Sequence, residues 1–190
     1  MARNMDNGRT RRSNRWSLAI WGTAACLLLL PAIAMRFPGS GVDWDARDFI
    51  IMGVMFAIAC GTYELATRLS DSVAYRAAAG IAIVTGFLTV WVNLAAGMLG
   101  SERNPDNLLF AGVLAIALLG AAFARLQAGG LARAMCVAAL AQALLAGIAL
   151  VAGWDDRGAV FSAAFAVPWL LSAALFALAA RAPGRDGATP

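Results

Sequence analysis

Residues 89–110 read TVWVNLAAGMLGSERNPDNLLF, an apolar run that gives way to a short polar segment and then becomes apolar again. The apolar runs on both sides of that segment each extend over about 20 residues, which is the length an α-helix needs to cross the hydrocarbon core of a bilayer. An open strand cannot satisfy its backbone polar groups in that environment, whereas a helix can. This stretch therefore predicts two membrane-spanning helices joined by a polar turn.

The same pattern recurs along the whole chain. Of its 190 residues, 61% are hydrophobic and 14% are charged, against about 25% charged in a typical soluble domain. We expect an all-α integral membrane six-helix bundle as residues 17–180, between a basic tail at 1–16 and a second tail at 181–190. The predicted spans are 17–35, 48–67, 77–99, 107–126, 131–153 and 160–180.

The distribution of arginine predicts the orientation of these spans. All 15 basic residues are arginines, and most lie in the two tails and in the second and fourth loops. Seven acids and few arginines lie in the first, third and fifth loops. Because positively charged loops stay in the cytoplasm, both termini are predicted to be cytoplasmic. The arginines lie between apolar runs and form no solvated face, so the net charge of +4 does not indicate a nucleic-acid partner.

The first span has a second interpretation. A basic segment, an apolar run and the sequence Ala32-Ile33-Ala34 together resemble a cleavable signal peptide. The apolar run of about 18 residues is longer than the 7–15 of a signal core, and cleavage would leave five spans. We therefore favour an uncleaved anchor, with cleavage as the alternative.

The polar segment after the third span has the pattern of a helix start. Asn104 suits the N-cap of the fourth helix, Pro105 its first position, and Asp106 its positively polarised first turn. With Glu102 and Asn107, these residues are predicted to form an external hairpin. The alternative for the same charges is a contact with an external ligand or partner.

Polar residues also occur within the third and fifth spans. Thr85, Thr89 and Asn93 recur every four residues, so they share one face of the third helix. Gln142, near mid-depth of the fifth span, is a natural partner for Asn93. The stripe must face another helix or a wet cavity. Interhelical hydrogen bonding is the favoured interpretation, and a polar path for a solute is the alternative.

Apart from Asp48 at the first position of the second span, Glu64 is the only acid within a predicted span. It lies four residues before Arg68, which is the spacing and order of an ion pair on one helix face. The alternative is a protonatable or ligand-binding carboxylate, because ionisable residues inside the membrane are often functional.

Two further patterns concern how the helices pack. The turns WDAR, SERN and WDDR begin at 44, 101 and 154, and residues 48–61 align with 107–120, which predicts three tandem helical hairpins. Small residues spaced by four predict close helix approach, and Pro168 predicts a kink in the sixth helix. The two small-residue stripes are Gly53, Ala57, Gly61 and Ala139, Ala143, Gly147.

No pattern in the chain indicates catalysis, a cofactor or a metal. The sequence has no histidine and no lysine, and its three cysteines lie in apolar runs without a CxxC spacing. Walker, GxSxG and HExxH motifs are absent. We therefore expect no catalytic residues, no cofactor and no metal site.

The residues from Asn93 to Asn107 follow the pattern NLAxGxxGSExNPxN. This pattern, with YELATRLSDSVAYRAAAGIA before it, resembles a family of small bacterial multi-pass inner-membrane proteins across residues 44–153. The resemblance implies a bacterial inner-membrane location and the same helix arrangement, and it carries no activity. Because short loops and small-residue faces serve helix association, we expect a non-enzymatic scaffold or accessory subunit with the lipid bilayer, a membrane-protein partner or a second copy as its contacts. A small permease or channel is the alternative.

Overall fold

The computed structural model describes residues 3–181, and their side chains from residue 17 onward. All regular secondary structure in this range is helical. A single 3₁₀ turn, Pro105–Leu108, precedes α4. The helices are α1 (Arg3–Ala34), α2 (Ala46–Leu69), α3 (Val73–Ala95), α4 (Leu109–Phe123), α5 (Ala128–Ala152), α6 (Asp156–Ala164) and α7 (Ala166–Arg181).

Among the described residues, six segments are long and apolar enough to cross a membrane, so the predicted all-α fold class with six spans is confirmed. They are Ser17–Ala34, Ala46–Leu69, Val73–Ala95, Pro105–Phe123, Ala128–Ala152 and Asp156–Arg181. The backbone of the N-terminal tail continues α1 back to Arg3. The C-terminal tail beyond Arg181 lies outside the described residues.

The chain divides into two compact units, and their boundary falls within α2 after Leu65. In the first unit, α2 starts with a reciprocal cap. The Asp45 carboxylate accepts from the backbone N–H of Asp48 at 3.0 Å, and the Asp48 carboxylate accepts from that of Asp45 at 3.0 Å. This arrangement satisfies two N–H groups that have no partner within the helix. A Cβ added at Gly53 would lie 3.8 Å from Leu28, so this member of the small-residue stripe faces α1.

The second unit is a helical bundle around a core of small side chains. Near Gly120 the helices α4 and α5 approach so closely that an added Cβ would lie 2.6 Å from the Cβ of Ala134. This approach is the kind that small residues permit between membrane helices. We call the main group of buried residues the large cluster: Ala66, Tyr75, Ala78, Ala79, Val113, Ala117, Leu131, Ala134, Met135, Ala138, Ala139, Trp169, Ala173 and Phe176.

A second group of buried residues lies where the α3–α4 and α5–α6 connections meet. This small cluster consists of Met98, Leu99, Phe110, Ala149 and Ala159, with Val92, Leu145 and Phe165 packed against it. Met98 and Leu99 belong to the connection itself and are almost completely buried. The α3–α4 connection is therefore part of the folded core of this unit.

The sixth span is interrupted at Phe165, between α6 and α7. Pro168, in the first turn of α7, has no N–H to donate to the carbonyl of Ala164, and its ring crowds that carbonyl. The backbone tightens just before this point, where the N–H of Phe165 donates to the carbonyl of Ser162 at 3.1 Å. The irregularity predicted from Pro168 is thus present, and it lies three residues before the proline.

Opposite these connections, the α2–α3 and α4–α5 turns are held by side chains of α3. The Arg76 guanidinium donates to the carbonyls of Ser70 at 2.7 Å and Thr67 at 3.0 Å, which caps the end of α2. The Tyr75 hydroxyl donates to the carbonyl of Leu126 at 2.8 Å. Leu126 has a positive φ of 60°, an uncommon conformation for a residue other than glycine.

Candidate functional site

The α3–α4 connection is folded by its own asparagine side chains. Asn107 is buried, and its amide bridges the loop: Oδ1 accepts from the N–H of Leu99 at 2.9 Å, and Nδ2 donates to the carbonyl of Ser101 at 2.7 Å. Asn104 Nδ2 donates to the carbonyl of Leu99 at 2.9 Å. The bond from Asn107 satisfies the buried N–H of Leu99, and the other two bonds add a second donor to carbonyls that already accept from backbone N–H groups.

The start of the fourth span follows the sequence-based prediction at three positions. Asn104 is the N-cap, and its Oδ1 accepts from the N–H of Asp106 at 3.0 Å. Pro105 occupies the first position, and Asp106 lies in the first turn. The segment is a 3₁₀ turn up to Leu108, and the α-helix begins only at Leu109.

The connection is also tied to the α5–α6 turn. Asp155 is the N-cap residue of α6, but its carboxylate makes no bond to that helix. Its Oδ2 instead accepts from the backbone N–H of Gly100 at 2.8 Å. A Cβ added at Gly158 would overlap the Asp155 carboxylate and the carbonyl of Met98. From the sequence, Asp155 contributes only to the predicted orientation of the spans. Nothing in its local pattern indicates a bond to a residue 55 positions away.

Two charged residues of the predicted hairpin have no such role. Glu102 is exposed, and its carboxylate lies 3.7 Å from the guanidinium of the still more exposed Arg103. Exposed pairs of this kind contribute little to stability. Glu102 therefore remains accessible to an external contact, whereas Asn104 and Asn107 are engaged within the loop.

Below this connection, four buried polar residues form what we call the polar layer: Thr85, Thr89, Gln142 and Ser162. On α3 the last residue that packs against the large cluster is Ala82 and the first that packs against the small cluster is Val92, so both threonines lie between the clusters. On α5 the last member of the large cluster is Ala139 and the member of the small cluster is Ala149, while Leu145 packs against both. Gln142 lies between these two members.

The two threonines of the polar layer use their hydroxyls within their own helix. Thr85 Oγ1 donates to the carbonyl of Ile81 at 2.7 Å, and Thr89 Oγ1 donates to the carbonyl of Thr85 at 2.8 Å. Asn93, one turn further along and half-buried, does the same, because its Nδ2 donates to the carbonyl of Thr89 at 2.7 Å. The stripe predicted on α3 is thus one continuous ladder of bonds to the preceding turn.

Gln142 makes the interhelical bond of the layer. Its Nε2 donates to the carbonyl of Ser162 at 2.9 Å, on the last regular turn of α6 before the interruption. This bond links α5 to the irregular part of the sixth span. Ser162, which the sequence analysis did not single out, has an unremarkable local sequence and could have been found only through the fold.

The predicted pairing of Asn93 with Gln142 is wrong. Both side-chain oxygens are unpaired, so neither amide donates to the other. Asn93 lies two residues before the end of α3, and Gln142 lies ten residues before the end of α5. At 1.5 Å per residue, Asn93 lies about 3 Å and Gln142 about 15 Å from the end of its own helix.

Three buried side-chain atoms have no hydrogen-bond partner within the described part of the chain. They are Asn93 Oδ1, Gln142 Oε1 and Trp169 Nε1. A buried donor or acceptor without a partner costs about 1–3 kcal/mol of desolvation. Two acceptors and one donor are therefore available in the interior of the second unit.

Glu64 lies in the first unit, on α2, and is half-buried. The indole Nε1 of Trp21, on α1, lies 3.4 Å from its Oε2. A bond of this length is weak, but it brings an aromatic donor to the one acid of α2 that lies beyond its first turn. The pairing of Glu64 with Arg68 stays a prediction.

Within residues 17–181, no group of three histidine, cysteine, aspartate or glutamate residues is arranged to hold an ion. The three cysteines are free thiols: Cys26 and Cys136 are exposed, and Cys60 is buried.

No protein family, no curated protein and no solved structure matches this chain. A proposal about its function consequently depends on the geometry of the polar layer and of the α3–α4 connection.

Proposed function

We propose that this multi-pass membrane protein is a non-enzymatic scaffold or accessory subunit that associates with other proteins within the bilayer. The observation that carries the proposal is the state of the polar layer. Thr89, Gln142 and Ser162 are completely buried, and the hydroxyls and the amide nitrogen are bonded to backbone carbonyls. Polar groups engaged in this way stabilise helix packing, and they offer no surface to a passing solute.

The exposed part of the α5 small-residue stripe supports an association role. Ala139 is buried in the large cluster, whereas Ala143 and Gly147 are exposed. A Cβ added at Gly147 would meet no heavy atom of the described chain within 4 Å. Small residues at a helix surface allow a second helix to approach closely, so this end of the stripe is suited to a partner helix.

The location and orientation are part of the same proposal. The arginine bias is consistent with both termini in the cytoplasm. The pattern from Asn93 to Asn107 is the ground for placing the chain in a family of small bacterial inner-membrane proteins. Asn104 and Asn107, two residues of that pattern, hold the α3–α4 connection together, so the pattern is explained by folding without a catalytic role.

The test is purification of the tagged full chain from its native membranes in mild detergent, followed by native mass spectrometry. A scaffold predicts a companion at fixed stoichiometry, recovered again when the companion carries the tag. Gly147→Leu should release the companion without lowering the thermal unfolding midpoint. Gly112→Leu is the matched control, because Gly112 also faces open space but has Leu108 and Ile116 as its neighbours at four residues. A monomer without companion, or equal effects of both variants, would contradict the proposal.

A small permease or channel is the second candidate, and one observation favours it. The sixth span is interrupted at Phe165. Gln142 donates to the carbonyl of Ser162, three residues before that interruption, and its Oε1 has no hydrogen-bond partner among the described residues. Interrupted helices near mid-depth form the binding sites of many transporters. Liposomes that contain the purified chain would then conduct a small solute, and Asn93→Leu would abolish the flux while the unfolding midpoint stays nearly unchanged. Absence of flux for ions and small neutral solutes would remove this candidate.

A further inference from the structure

Two arginines lie at the end of the second unit where α5 begins and the sixth span ends. The Arg133 guanidinium turns back along its own helix, and its Nε donates to the carbonyl of Gly129 at 3.3 Å. The same glycine contacts α7, since a Cβ added at Gly129 would be 3.9 Å from the Cβ of Ala180. Arg181 follows Ala180 as the last residue of α7. Gly129 is therefore a common neighbour of the Arg133 side chain and of the turn that carries Arg181.

Neither arginine is neutralised by an acid of the described chain. Both residues are exposed, and neither forms an ion pair within residues 17–181. Asp71 is the only described acid of the second unit at this end, and it is already paired with Arg76 at 2.8 Å. The other described acids of this unit lie in or beside the α3–α4 and α5–α6 connections, at the opposite end. The surface around Gly129 therefore carries uncompensated positive charge.

The depth of these groups corresponds to the headgroup region of a bilayer. Ala128–Ala152 and Asp156–Arg181 are both spans, so the start of the first and the end of the second lie at the membrane surface. Arg133 is five residues inside its span, but its guanidinium bonds one turn nearer to the surface, at Gly129. Long basic side chains extend in this way to keep their charge in the polar region. Both guanidinium groups are thus available at the level where lipid phosphates lie.

We propose that Arg133 and Arg181 together bind the phosphate group of an anionic phospholipid in the leaflet at this end. Space for the phosphate is present, because Gly129 is exposed and Ala180 has the one side chain beyond its chain neighbours that a Cβ there would meet within 4 Å. An arginine guanidinium can bond two oxygens of a phosphate at once.

A lipid is the expected source of the phosphate because lipid headgroups surround this end of the helices, and basic groups between spans bind them. A zwitterionic headgroup carries its own cation, so two uncompensated arginines favour an anionic lipid. This inference holds for a scaffold and for a permease alike, because it concerns the membrane surface of the bundle and neither a protein partner nor a path through it.

The experiment is native mass spectrometry of the full chain, delipidated in a neutral detergent and titrated with dioleoylphosphatidylglycerol. We expect a saturable lipid adduct that forms at lower concentration than the adduct with dioleoylphosphatidylcholine, whose phosphate is compensated by choline. The double variant Arg133→Gln/Arg181→Gln should weaken phosphatidylglycerol binding by about tenfold or more, as expected when hydrogen bonds to a charged group are lost. If it does not fold, Gly129→Leu replaces it, because leucine fills the space between the arginines without removing a charge and should weaken binding as well.

Arg125→Gln is the matched control. Arg125 is exposed in the α4–α5 turn at the same end, and no described contact joins it to Gly129. This variant should keep binding within about twofold of the parent chain, because a single exposed charge outside the site is screened by salt. Weakening by Arg125→Gln equal to that of the double variant would overturn the proposal, and so would equal binding of the two lipids. Displacement of phosphatidylglycerol by an equal concentration of inorganic phosphate would assign the site to a free ion and overturn the lipid as its ligand.

Discussion

The Asp155 carboxylate accepts a hydrogen bond from the backbone N–H of Gly100 at 2.8 Å, and this bond joins two connections that are 55 residues apart in the chain. Asp155 stands at the N-cap position of α6, where a carboxylate would ordinarily bond to the first turn of its own helix. It bonds to the α3–α4 connection instead. The two connections therefore form one folded end of the second unit, with the small cluster beneath them.

We predict that Asp155→Ala lowers the free energy of unfolding by about 1.5–3 kcal/mol, the usual contribution of a hydrogen bond to a charged group. SDS-titration of the purified chain measures this value. Asp155→Asn keeps an acceptor oxygen and should lose less. Asp156→Ala is the matched control, because Asp156 is exposed and adjacent. Equal losses at positions 155 and 156 would show that the bond to Gly100 contributes nothing.

The second prediction concerns two glycines with the same backbone conformation. Gly97 and Gly100 both have a φ of +76°, which disfavours any residue with a Cβ. A Cβ at Gly97 would overlap the carbonyl group of Ser101, whereas one at Gly100 would meet no described atom within 4 Å. Gly100→Ala should therefore cost about 1–2 kcal/mol from conformation alone, and Gly97→Ala distinctly more. Equal unfolding midpoints for the two variants would contradict this.

The third prediction separates structural from exposed residues within the pattern from Asn93 to Asn107. Asn107→Leu removes both bonds of a buried amide and leaves the N–H of the buried Leu99 without a partner, whereas the carbonyl of Ser101 still accepts from the N–H of Asn104. We expect a loss of about 1–3 kcal/mol, because one buried backbone group becomes unsatisfied. Glu102→Gln should change stability by less than about 0.5 kcal/mol, as surface substitutions usually do. A large loss for Glu102→Gln in the purified chain would indicate a structural contact at that residue.

These residues also show what the sequence can and cannot predict. The spans follow from composition, and the cap formed by Asn104 follows from its spacing to Pro105, because both depend on neighbours along the chain. The bond from Gly100 to Asp155 and the bond from Gln142 to Ser162 depend on which helices pack together, and no local pattern contains that information. The pairing of Asn93 with Gln142 failed for the same reason, since depth in a helix depends on where each helix ends.

The fourth prediction compares two members of the polar layer. Thr89→Val removes a hydroxyl that bonds only to the carbonyl of Thr85 in its own helix. Without the hydroxyl, that carbonyl can keep its ordinary helical bond. The change in unfolding free energy should stay below about 1 kcal/mol, consistent with the average of about 0.6 kcal/mol for polar contacts in membrane helices. Gln142→Leu removes the bond to Ser162 across two helices and should cost more. A larger effect of Thr89→Val than of Gln142→Leu would contradict this ranking.

The fifth prediction concerns orientation. In a chain whose three cysteines are replaced by alanine, Ser40→Cys lies in the α1–α2 connection and Gln127→Cys in the α4–α5 connection, and both positions are exposed. The arginine-poor connection should be extracytoplasmic and the arginine-flanked one cytoplasmic, because positively charged loops are retained inside. A membrane-impermeant maleimide applied to intact cells should therefore label Ser40→Cys and spare Gln127→Cys until the membrane is permeabilised. The opposite labelling would show that the topology is inverted. Labelling of both cysteines in intact cells would place them on the same side of the membrane, which contradicts the three spans predicted between them.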